Sequence, residues 1–479
     1  MPIINHRIIF LILISILAII TRIYNLNYED FWIDEIISFW IADPLLTTDE
    51  TILRHNSLEQ VPIFFNMVLK YYFGLFGYNA HFGRYLTVFF SILTLITSFL
   101  LFKKIKNNNS VIFFYFLMAI NIYLIKYSQE LRVYSLMLLL ITLSLFFLIG
   151  ALNNRKENTF NYIFFTFFSI LSIFSHPFSL IIFFSILSYS FFVLIIKREN
   201  IKGLNLSLLI IFLFSFIYYF LYFLNLNEIT SWIPTLNTKF FTNYFFSKFF
   251  GSRLLGMIHL ISLLYLMIYF KKIILNSNLL IFSIIFFYSY LLPILFGLFV
   301  KPILVDRYII YVIPPILIIT SILIFEIKND ITKKLIVFII TLLSLLNFFT
   351  EDSFKQFYQK TNKYKPNFFQ ALKTIEMSNN NKFIIKKFET KDPNKNSFYG
   401  LLDNAVNDYI KQYVNNKEID VNLTNISNVY EKKLSNIWII CYYDLDISDC
   451  EPPINKKNIN ISKNINFSRI NLIQLNLKH

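Results

Sequence analysis

Long apolar runs constrain this chain more than any other feature. Eleven stretches of about 17 to 25 mostly apolar residues recur along it, and each is long enough to cross a bilayer as a helix. Of its 479 residues, 56% are hydrophobic and 15% are charged, which excludes a disordered chain and exceeds what a soluble core can bury. The sequence therefore predicts a polytopic α-helical membrane protein. The predicted spans are 8–24, 85–102, 110–125, 131–151, 160–175, 178–196, 204–224, 254–270, 279–299, 303–325 and 335–350.

Short basic clusters predict the orientation of these spans. If the N-terminus is cytoplasmic, clusters such as Lys103-Lys104 and Lys333-Lys334 fall in short cytoplasmic connections, as the positive-inside rule requires. One further apolar run, Val61 to Phe76, would invert every later loop if it spanned, so we place it as an interfacial helix on the outer face. The net charge of +15 comes from these separate clusters, and a nucleic-acid partner is not expected.

The composition changes after the last span. From Glu351 onward Asn, Lys, Ser and Asp dominate, and an odd number of spans places this region outside the cytoplasm. We therefore predict a transmembrane domain over residues 1–350, with an external loop at 25–84, and a small extracytoplasmic α+β domain over 351–479. Cys441 and Cys450 are the two cysteines of the chain. They lie on the oxidising side, where a disulfide and two free thiols both remain open.

Ionisable residues gather at the outer ends of the spans. Arg22, Arg132 and Arg307 fall there, and no Asp, Glu, Lys or Arg occupies the middle of a predicted span. A pump or proton-coupled transporter would need carboxylates or broken helices near the midplane. The pattern favours chemistry at the external interface, where a lipid headgroup and an acceptor could meet.

The first external segment carries adjacent carboxylates, Asp34 and Glu35, in the aromatic stretch that begins at Tyr28. Partial desolvation near a membrane raises the pKa of a carboxylate towards neutrality, which suits a general base. Acidic residues of an ordinary membrane-flanking loop would give the same pattern.

Three more external positions carry polar groups. Glu130 and Tyr134, before the fourth span, are four residues apart, so at a helix start they would share a face while Arg132 points towards another loop. His176 lies between the fifth and sixth spans, and Arg307-Tyr308 opens the tenth. Each has a simpler explanation: an Arg132 side chain that only extends its charge to the membrane surface, a turn that contains His176, and a pair between Arg307 and the neighbouring Asp306.

Together these landmarks resemble the membrane glycosyltransferases of the GT-C class, specifically the bacterial relatives of protein O-mannosyltransferases and of the lipid A aminoarabinose transferase. The resemblance covers most of the chain, and its motifs keep their order and their common external side. The motifs are Trp32-Ile33-Asp34-Glu35 with Ser38, Pro62-Ile63-Phe64-Phe65 with Gly77 and Arg84, Tyr127-Ser128-Gln129-Glu130-Leu131-Arg132-Val133-Tyr134, Ser175-His176, Arg307-Tyr308 with Pro314, and Tyr364-Lys365-Pro366-Asn367-Phe368-Phe369.

The chain departs from the family pattern at three points. Gln60-Val61 replaces a His-Pro pair before Pro62, so a role for that His would need His55 from a shifted position. The tyrosine pair of the same helix is Phe64-Phe65, which removes two hydroxyls. The usual Trp after the proline of the appended domain is absent.

The resemblance implies transfer of a sugar from a polyprenyl-phosphate donor, with inversion, to a lipid, glycan or protein acceptor outside the cell's inner (plasma) membrane. Asp34 would be the general base. Glu35 and Glu130 would orient the acceptor, while Asp34 and Glu130 would supply oxygen ligands if a divalent cation binds. No cofactor is certain. The expected substrate-binding residues are Arg84, Arg132, Tyr134, His176, Arg307 and Tyr308.

These expectations depend on the acidic pair and the Glu130–Arg132 stretch meeting in one cavity that faces away from the cytosol. Two other classes stay open. A lipid flippase or transporter would need a central polar pathway. A polysaccharide polymerase or ligase would use a diphosphate-linked glycan and usually has a larger external loop late in the chain.

Overall fold

The computed structural model divides the chain into two compact units. It describes residues 6–59, 61–106, 109–153, 159–196, 198, 201–223, 233–236, 238–268, 277–350, 365–378, 382–385, 393–415, 422–423, 437–442 and 459–477. The first unit, which we call the membrane unit, comprises Met1–Tyr24, Gln60–Phe65 and Tyr85–Lys355. The second, which we call the α+β unit, comprises Asn25–Glu59, Asn66–Arg84 and Gln356–His479. The predicted boundary at Glu351 lies outside the described residues.

Apolar helices build the membrane unit. Within the described ranges, seven helices are long and apolar enough to cross a membrane. An eighth span is formed if the pair Asn109–Ile120 and Ile122–Ser128, bent by 53°, counts as one. The remaining three predicted spans lie on helices His6–Ile23, Thr159–Ser175 and Arg253–Ile268. The seven are Ala80–Ile105, Tyr134–Asn153, Ser179–Ile196, Lys202–Phe223, Ser277–Phe299, the Asp306–Val312 3₁₀ turn continued by Ile313–Phe325, and Asp330–Thr350. The first of these is divided between the units, because its residues up to Arg84 belong to the α+β unit.

The prediction of a polytopic helical fold is confirmed, and burial identifies its centre. Helix Ile313–Phe325 is apolar on every face and almost wholly buried, as expected of a helix surrounded by others. Helix Asp330–Thr350, by contrast, exposes Phe338, Leu342 and Leu346 along one side. Among the described residues, the unit also contains the short helices Thr238–Asn243 and Phe246–Phe250.

The bend in the third span has a local cause. Asn121 separates the two helices, and its side chain caps the second by accepting a hydrogen bond from the Leu124 amide at 2.9 Å. The fully buried Arg22 donates to the Ala119 carbonyl at 3.0 Å, at the end of the first helix. These two bonds satisfy one amide and one carbonyl at the helix ends on either side of the bend.

The α+β unit combines segments that are distant in sequence. Its helices are Ile33–Ile41, Thr48–Leu58, Phe368–Met377 and Pro393–Asn415. Helix Phe64–Phe76, on the run predicted to be interfacial, is divided between the units after Phe65. Its 13 residues are too short to span a bilayer, and its place at the interface stays a prediction.

The described part of the α+β unit also contains a five-stranded sheet. Its strands are β1 Lys382–Ile385, β2 Asn422–Leu423, β3 Ile437–Tyr442, β4 Ile459–Phe467 and β5 Ile470–Leu477. The strand order is β2-β1-β3-β5-β4, in which β2, β1 and β3 pair in parallel and β3, β5 and β4 pair antiparallel. The central strand β3 is buried throughout, and its Cys441 is in a disulfide bond.

Candidate functional site

The two predicted carboxylates occupy the first turn of helix Ile33–Ile41, but their surroundings differ. Glu35 is fully buried, whereas Asp34 is half-buried. The Glu35 carboxylate also accepts a hydrogen bond from the Trp32 amide at 2.9 Å, which caps the start of the helix. Of the two, Asp34 therefore has the more accessible side chain.

Glu35 and Arg84 form a buried ion pair within the α+β unit. Arg84 Nε lies 2.9 Å from Glu35 Oε1, and Nη2 lies 3.0 Å from Oε2. The guanidinium also donates to the backbone carbonyls of Leu26, Glu29 and Asp30. These contacts give both predicted site residues a structural task, which is to fix the loop that precedes helix Ile33–Ile41, which we call the acidic helix.

Lys365 is a third member of this ion cluster, and the sequence alone predicts no role for it. Its Nζ lies 2.7 Å from Glu35 Oε2, and its side chain is 10% exposed. Burial alone would raise the pKa of Glu35, but the charges of Arg84 and Lys365 outweigh burial and lower this pKa to about 2. Glu35 is therefore ionised and engaged with two cations.

Asp30 is a second buried carboxylate, and it is not among the site residues that the sequence predicts. Its Oδ2 accepts a hydrogen bond from the Phe369 amide at 2.8 Å, and its Oδ1 accepts one from the Tyr413 hydroxyl. Tyr413 in turn contacts the Tyr409 hydroxyl at 3.0 Å. Burial raises the pKa of Asp30 despite these donors. The one sequence signal for a role of Asp30 is its position four residues before Asp34.

The membrane unit brings together most of the other predicted residues. The Tyr308 ring lies 4.9 Å from the His176 ring and 6.3 Å from the Tyr134 ring, measured between centroids. Arg132 and Arg307 are close enough to His176 to influence its protonation. We call these five residues the arginine–histidine cluster.

His176 is neutral in this cluster. Burial lowers the pKa of His176 to about 3, and the charges of Arg132 and Arg307 add to the effect. Its Nδ1 accepts a hydrogen bond from the Phe178 amide at 3.2 Å, so the ring proton lies on Nε2. Within the described residues, that buried Nε2 has no hydrogen-bond partner. The cluster therefore combines two cations with a neutral N–H donor, which suits an anionic oxygen.

Glu130 lies elsewhere in its loop than the sequence predicts. The helix begins at Tyr134, and Glu130 is in a bend four residues earlier, so the two do not share a helix face. The Arg132 amide donates to the Glu130 carbonyl at 2.8 Å, which tightens the bend. Gln129 secures the same loop by donating to the Thr21 and Arg22 carbonyls at 3.2 Å. Local turn bonds within the Glu130–Arg132 segment thus replace the expected first helical turn.

In the part of the chain that the structure describes, no preformed metal-binding site is present. No group of three or more His, Cys, Asp or Glu side chains lies close enough to hold an ion there. Asp34 and Glu130 belong to different units, so their joint role as cation ligands stays a prediction.

Comparison with known proteins finds relatives by structure and not by sequence. No protein-family model and no curated protein sequence matches the chain. ArnT from Cupriavidus metallidurans in the apo state superposes with a TM-score of 0.60 at 9% identity, covering 98% of this chain and 97% of ArnT. The same enzyme bound to undecaprenyl phosphate gives a TM-score of 0.57 with equal coverage and identity.

A second kind of transferase has a related structure. The oligosaccharyltransferase of Archaeoglobus fulgidus, in complex with zinc and sulfate, matches with a TM-score of 0.50 at 13% identity. The match covers 81% of this chain and 56% of the oligosaccharyltransferase, so the chain spans little more than half of that enzyme. At such identities the likeness establishes the fold. The chain therefore has the fold of the GT-C membrane glycosyltransferases.

Proposed function

We propose that this chain is a glycosyltransferase that moves a sugar from a polyprenyl-phosphate donor to a lipid, glycan or protein acceptor. The observation that carries the proposal is the arginine–histidine cluster, in which Arg132, Arg307 and the neutral His176 meet where apolar helices begin or end. A phosphate attached to a membrane lipid is the anion that such a site would meet. The fold is that of ArnT, which binds undecaprenyl phosphate.

The chemistry of the donor explains why one carboxylate base is enough. Glycoside hydrolysis needs a second carboxylic acid, because an alkoxide leaving group must be protonated. A phosphate is already a stable anion when it leaves. Arg132 and Arg307 would compensate the charge that develops on it, and the Nε2–H of His176 would donate to one of its oxygens.

Asp34 is the base in this proposal. It would accept the proton of the acceptor hydroxyl or amine while that group attacks the anomeric carbon from the side opposite the phosphate, which inverts the configuration. Base catalysis of this kind contributes about 10²- to 10⁴-fold. Asp34 suits the role because it is half-buried and adjoins Glu35, whose ion pairs fix the helix turn. Glu130 would orient the acceptor.

We place the reaction on the extracytoplasmic face of the inner (plasma) membrane, with the N-terminus in the cytoplasm. The disulfide bond of Cys441 supports this orientation for the C-terminal residues, because disulfides persist in oxidising compartments. The basic clusters between spans support it for the membrane unit.

Mass spectrometry of envelope lipids, glycans and proteins, with and without the gene, first identifies the transferred sugar and its acceptor. The role of Asp34 as the base is then tested by measuring sugar transfer by the Asp34→Asn variant, in cells and with purified protein. We expect Asp34→Asn to insert and fold as wild type but to lose transfer by at least about 100-fold. Asp49→Asn, an exposed carboxylate at the start of the next helix, should stay active. Full activity of Asp34→Asn would remove Asp34 as the base.

The test of the donor site is binding of undecaprenyl phosphate, measured by native mass spectrometry. Loss of one charged contact costs about 1.5 to 3 kcal/mol, so Arg307→Met should weaken binding about tenfold or more. Arg253→Met, an exposed arginine at the start of helix Arg253–Ile268, is the matched control. Equal binding by the two variants would contradict the site. A flippase would be revealed by lipid movement across vesicles without any acceptor.

A further inference from the structure

The residues that fix the acidic helix come from the C-terminal part of the chain. Lys365 binds Glu35, which is the residue after Asp34, across 330 positions of sequence. The Phe369 amide binds Asp30, and the guanidinium of Arg469 lies 4.4 Å from the centre of the Trp32 ring. Tyr409 and Tyr413 add two more contacts, since they bond Phe31 and Asp30. Five described C-terminal positions therefore contact the segment from Asp30 to Glu35.

Lys365 is itself held in a rigid setting. Pro366 follows it, and its ring fixes the φ angle of Pro366 and keeps the backbone of Lys365 out of the helical region. Asn367 then caps helix Phe368–Met377 by accepting from the Gln370 amide at 3.1 Å, and its own amide donates to the Ser468 carbonyl at 3.1 Å. The backbone that directly follows Lys365 is thus held both by a helix start and by the β4–β5 turn.

The contact concentrates on a single oxygen. Glu35 Oε2 accepts from Lys365 Nζ at 2.7 Å, from the Trp32 amide at 2.9 Å and from Arg84 Nη2 at 3.0 Å. The Trp32 bond closes the turn in which Asp34 lies. Removing Lys365 leaves a Glu35–Arg84 pair of zero net charge, so the ion pair survives while one constraint on the turn is lost.

We infer that Lys365 is a positioning residue: by binding Glu35 it fixes the helix turn that carries Asp34, and this makes the C-terminal residues part of the catalytic apparatus. The inference rests on the proposed function for its catalytic consequence. A shift of about 1 Å in a reacting group can cost about 100-fold in rate. Lys365→Met should therefore lower kcat, and the donor should bind as before because its proposed phosphate site is elsewhere in the chain.

The experiment compares Lys365→Met, Lys365→Arg and the control Lys373→Met in full-length protein. Lys373 lies in the adjoining helix and forms a partly exposed pair with Glu376. We expect Lys365→Met to lower kcat by about 10- to 100-fold with KM for the donor within about threefold. Lys365→Arg, which keeps the charge, should recover most of kcat, and Lys373→Met should match wild type.

A second measurement separates this inference from the proposed function. Hydrogen–deuterium exchange of the peptide over residues 29–41 reports the Phe31 and Trp32 amides, which donate to Tyr409 and Glu35. Faster exchange in Lys365→Met than in Lys373→Met is expected, whatever reaction the protein catalyses. Unchanged exchange would overturn the inference, and so would faster exchange with wild-type kcat. If the wild-type protein has no transferase activity but exchange is still faster in Lys365→Met than in Lys373→Met, the proposed function and the catalytic role of Lys365 are both wrong. The structural role of the Lys365–Glu35 contact would then still hold.

Discussion

Arg84 binds Glu35 through two parallel hydrogen bonds, of 2.9 and 3.0 Å, although the two residues are 49 positions apart. The Arg84 side chain is 2% exposed and that of Glu35 is 1% exposed. Lys365 adds a second cation to the same carboxylate. The acidic helix is therefore attached to its unit by buried charges, and Glu35 is the anion that both cations need.

Glu35→Gln should destabilise the α+β unit strongly. Removing one partner of a buried ion pair typically costs about 3 to 5 kcal/mol, because the remaining charge is buried without compensation. Here the substitution leaves two neighbouring buried cations, Arg84 and Lys365, without the anion that they share. The measurement is thermal or denaturant unfolding of purified protein, followed by tryptophan fluorescence. Glu50→Gln, at an exposed carboxylate that bonds Thr47, is the control, and an equal shift in both variants would contradict the prediction.

Acid should remove the stabilisation that Glu35 provides. Its pKa is about 2 in the folded protein and about 4.3 in an unfolded chain, so the unfolded state binds the proton first as pH falls. The contribution is complete above about pH 4.5 and is lost as pH falls towards 2. Unfolding free energies of wild type and Glu35→Gln, measured across this range, should converge at the acidic end. A constant difference would assign the stabilisation to something other than this ionisation.

Asp30 should show the opposite dependence. Burial raises the pKa of Asp30, so the folded protein binds its proton more tightly than the unfolded chain does. Its contribution to stability is then fully present below the unfolded value of about 3.9 and declines as pH rises through the folded pKa. An asparagine side chain at this position would resemble the protonated acid, because its NH₂ group can donate to Tyr413 while Tyr413 donates to Tyr409.

Asp30→Asn should consequently flatten the pH dependence of stability above about pH 4 without a large loss at neutral pH. Unfolding curves at several pH values check this, with Asp49→Asn as a control that should follow wild type. A steeper pH dependence in Asp30→Asn would show that the ionised carboxylate stabilises the folded unit.

The sequence predicted the membrane architecture well because hydropathy and helix length are local properties. Every predicted span falls on helical segments, and the short run after Val61 also forms a helix, Phe64–Phe76. The third span is a bent pair, the tenth begins with a 3₁₀ turn, and three of the eleven lie on helices outside the seven described ones that are long and apolar enough to cross a membrane. The prediction that Glu130 and Tyr134 share a helix face was wrong, because backbone bonds in the bend at 129–132 set the start of the helix at Tyr134. Hydropathy carries no information about such turn geometry.

The candidate site was predicted in part for a related reason. Motif residues Arg132, His176 and Arg307 do meet, since each follows or precedes a span on what we propose to be one face. The pairing of Glu35 with Arg84 and Lys365 could not be predicted, because it depends on long-range contacts within the α+β unit. Lys365 lies in a motif of the resemblance, but nothing local distinguishes it from the other lysines of a basic chain.

His176 offers a test of the arginine–histidine cluster through its proton. If the neutral ring donates from Nε2 to a phosphate oxygen, His176→Gln keeps an N–H donor and His176→Phe does not. Loss of one preorganised donor typically costs about 10²- to 10³-fold in rate. We expect this loss in kcat/KM for His176→Phe and less than about a tenfold loss for His176→Gln. A larger loss for His176→Gln than for His176→Phe would contradict the donor role and favour packing against Tyr308, because phenylalanine keeps the aromatic ring.

The pH dependence of the same residue separates binding by a neutral ring from binding by an imidazolium. The pKa of His176 is about 3 in the folded protein and about 6.5 in an unfolded chain. Its stabilisation is therefore complete above about pH 6.5 and is lost as pH falls towards 3, since the unfolded state takes up the proton first. The folded ring stays neutral from pH 5 to 8, so we expect transfer rates of wild type and His176→Gln to follow one pH profile over that range. If wild-type activity instead shows an ionisation near pH 6 that His176→Gln lacks, the ring titrates in the folded enzyme, and a charged histidine rather than a neutral donor binds the phosphate.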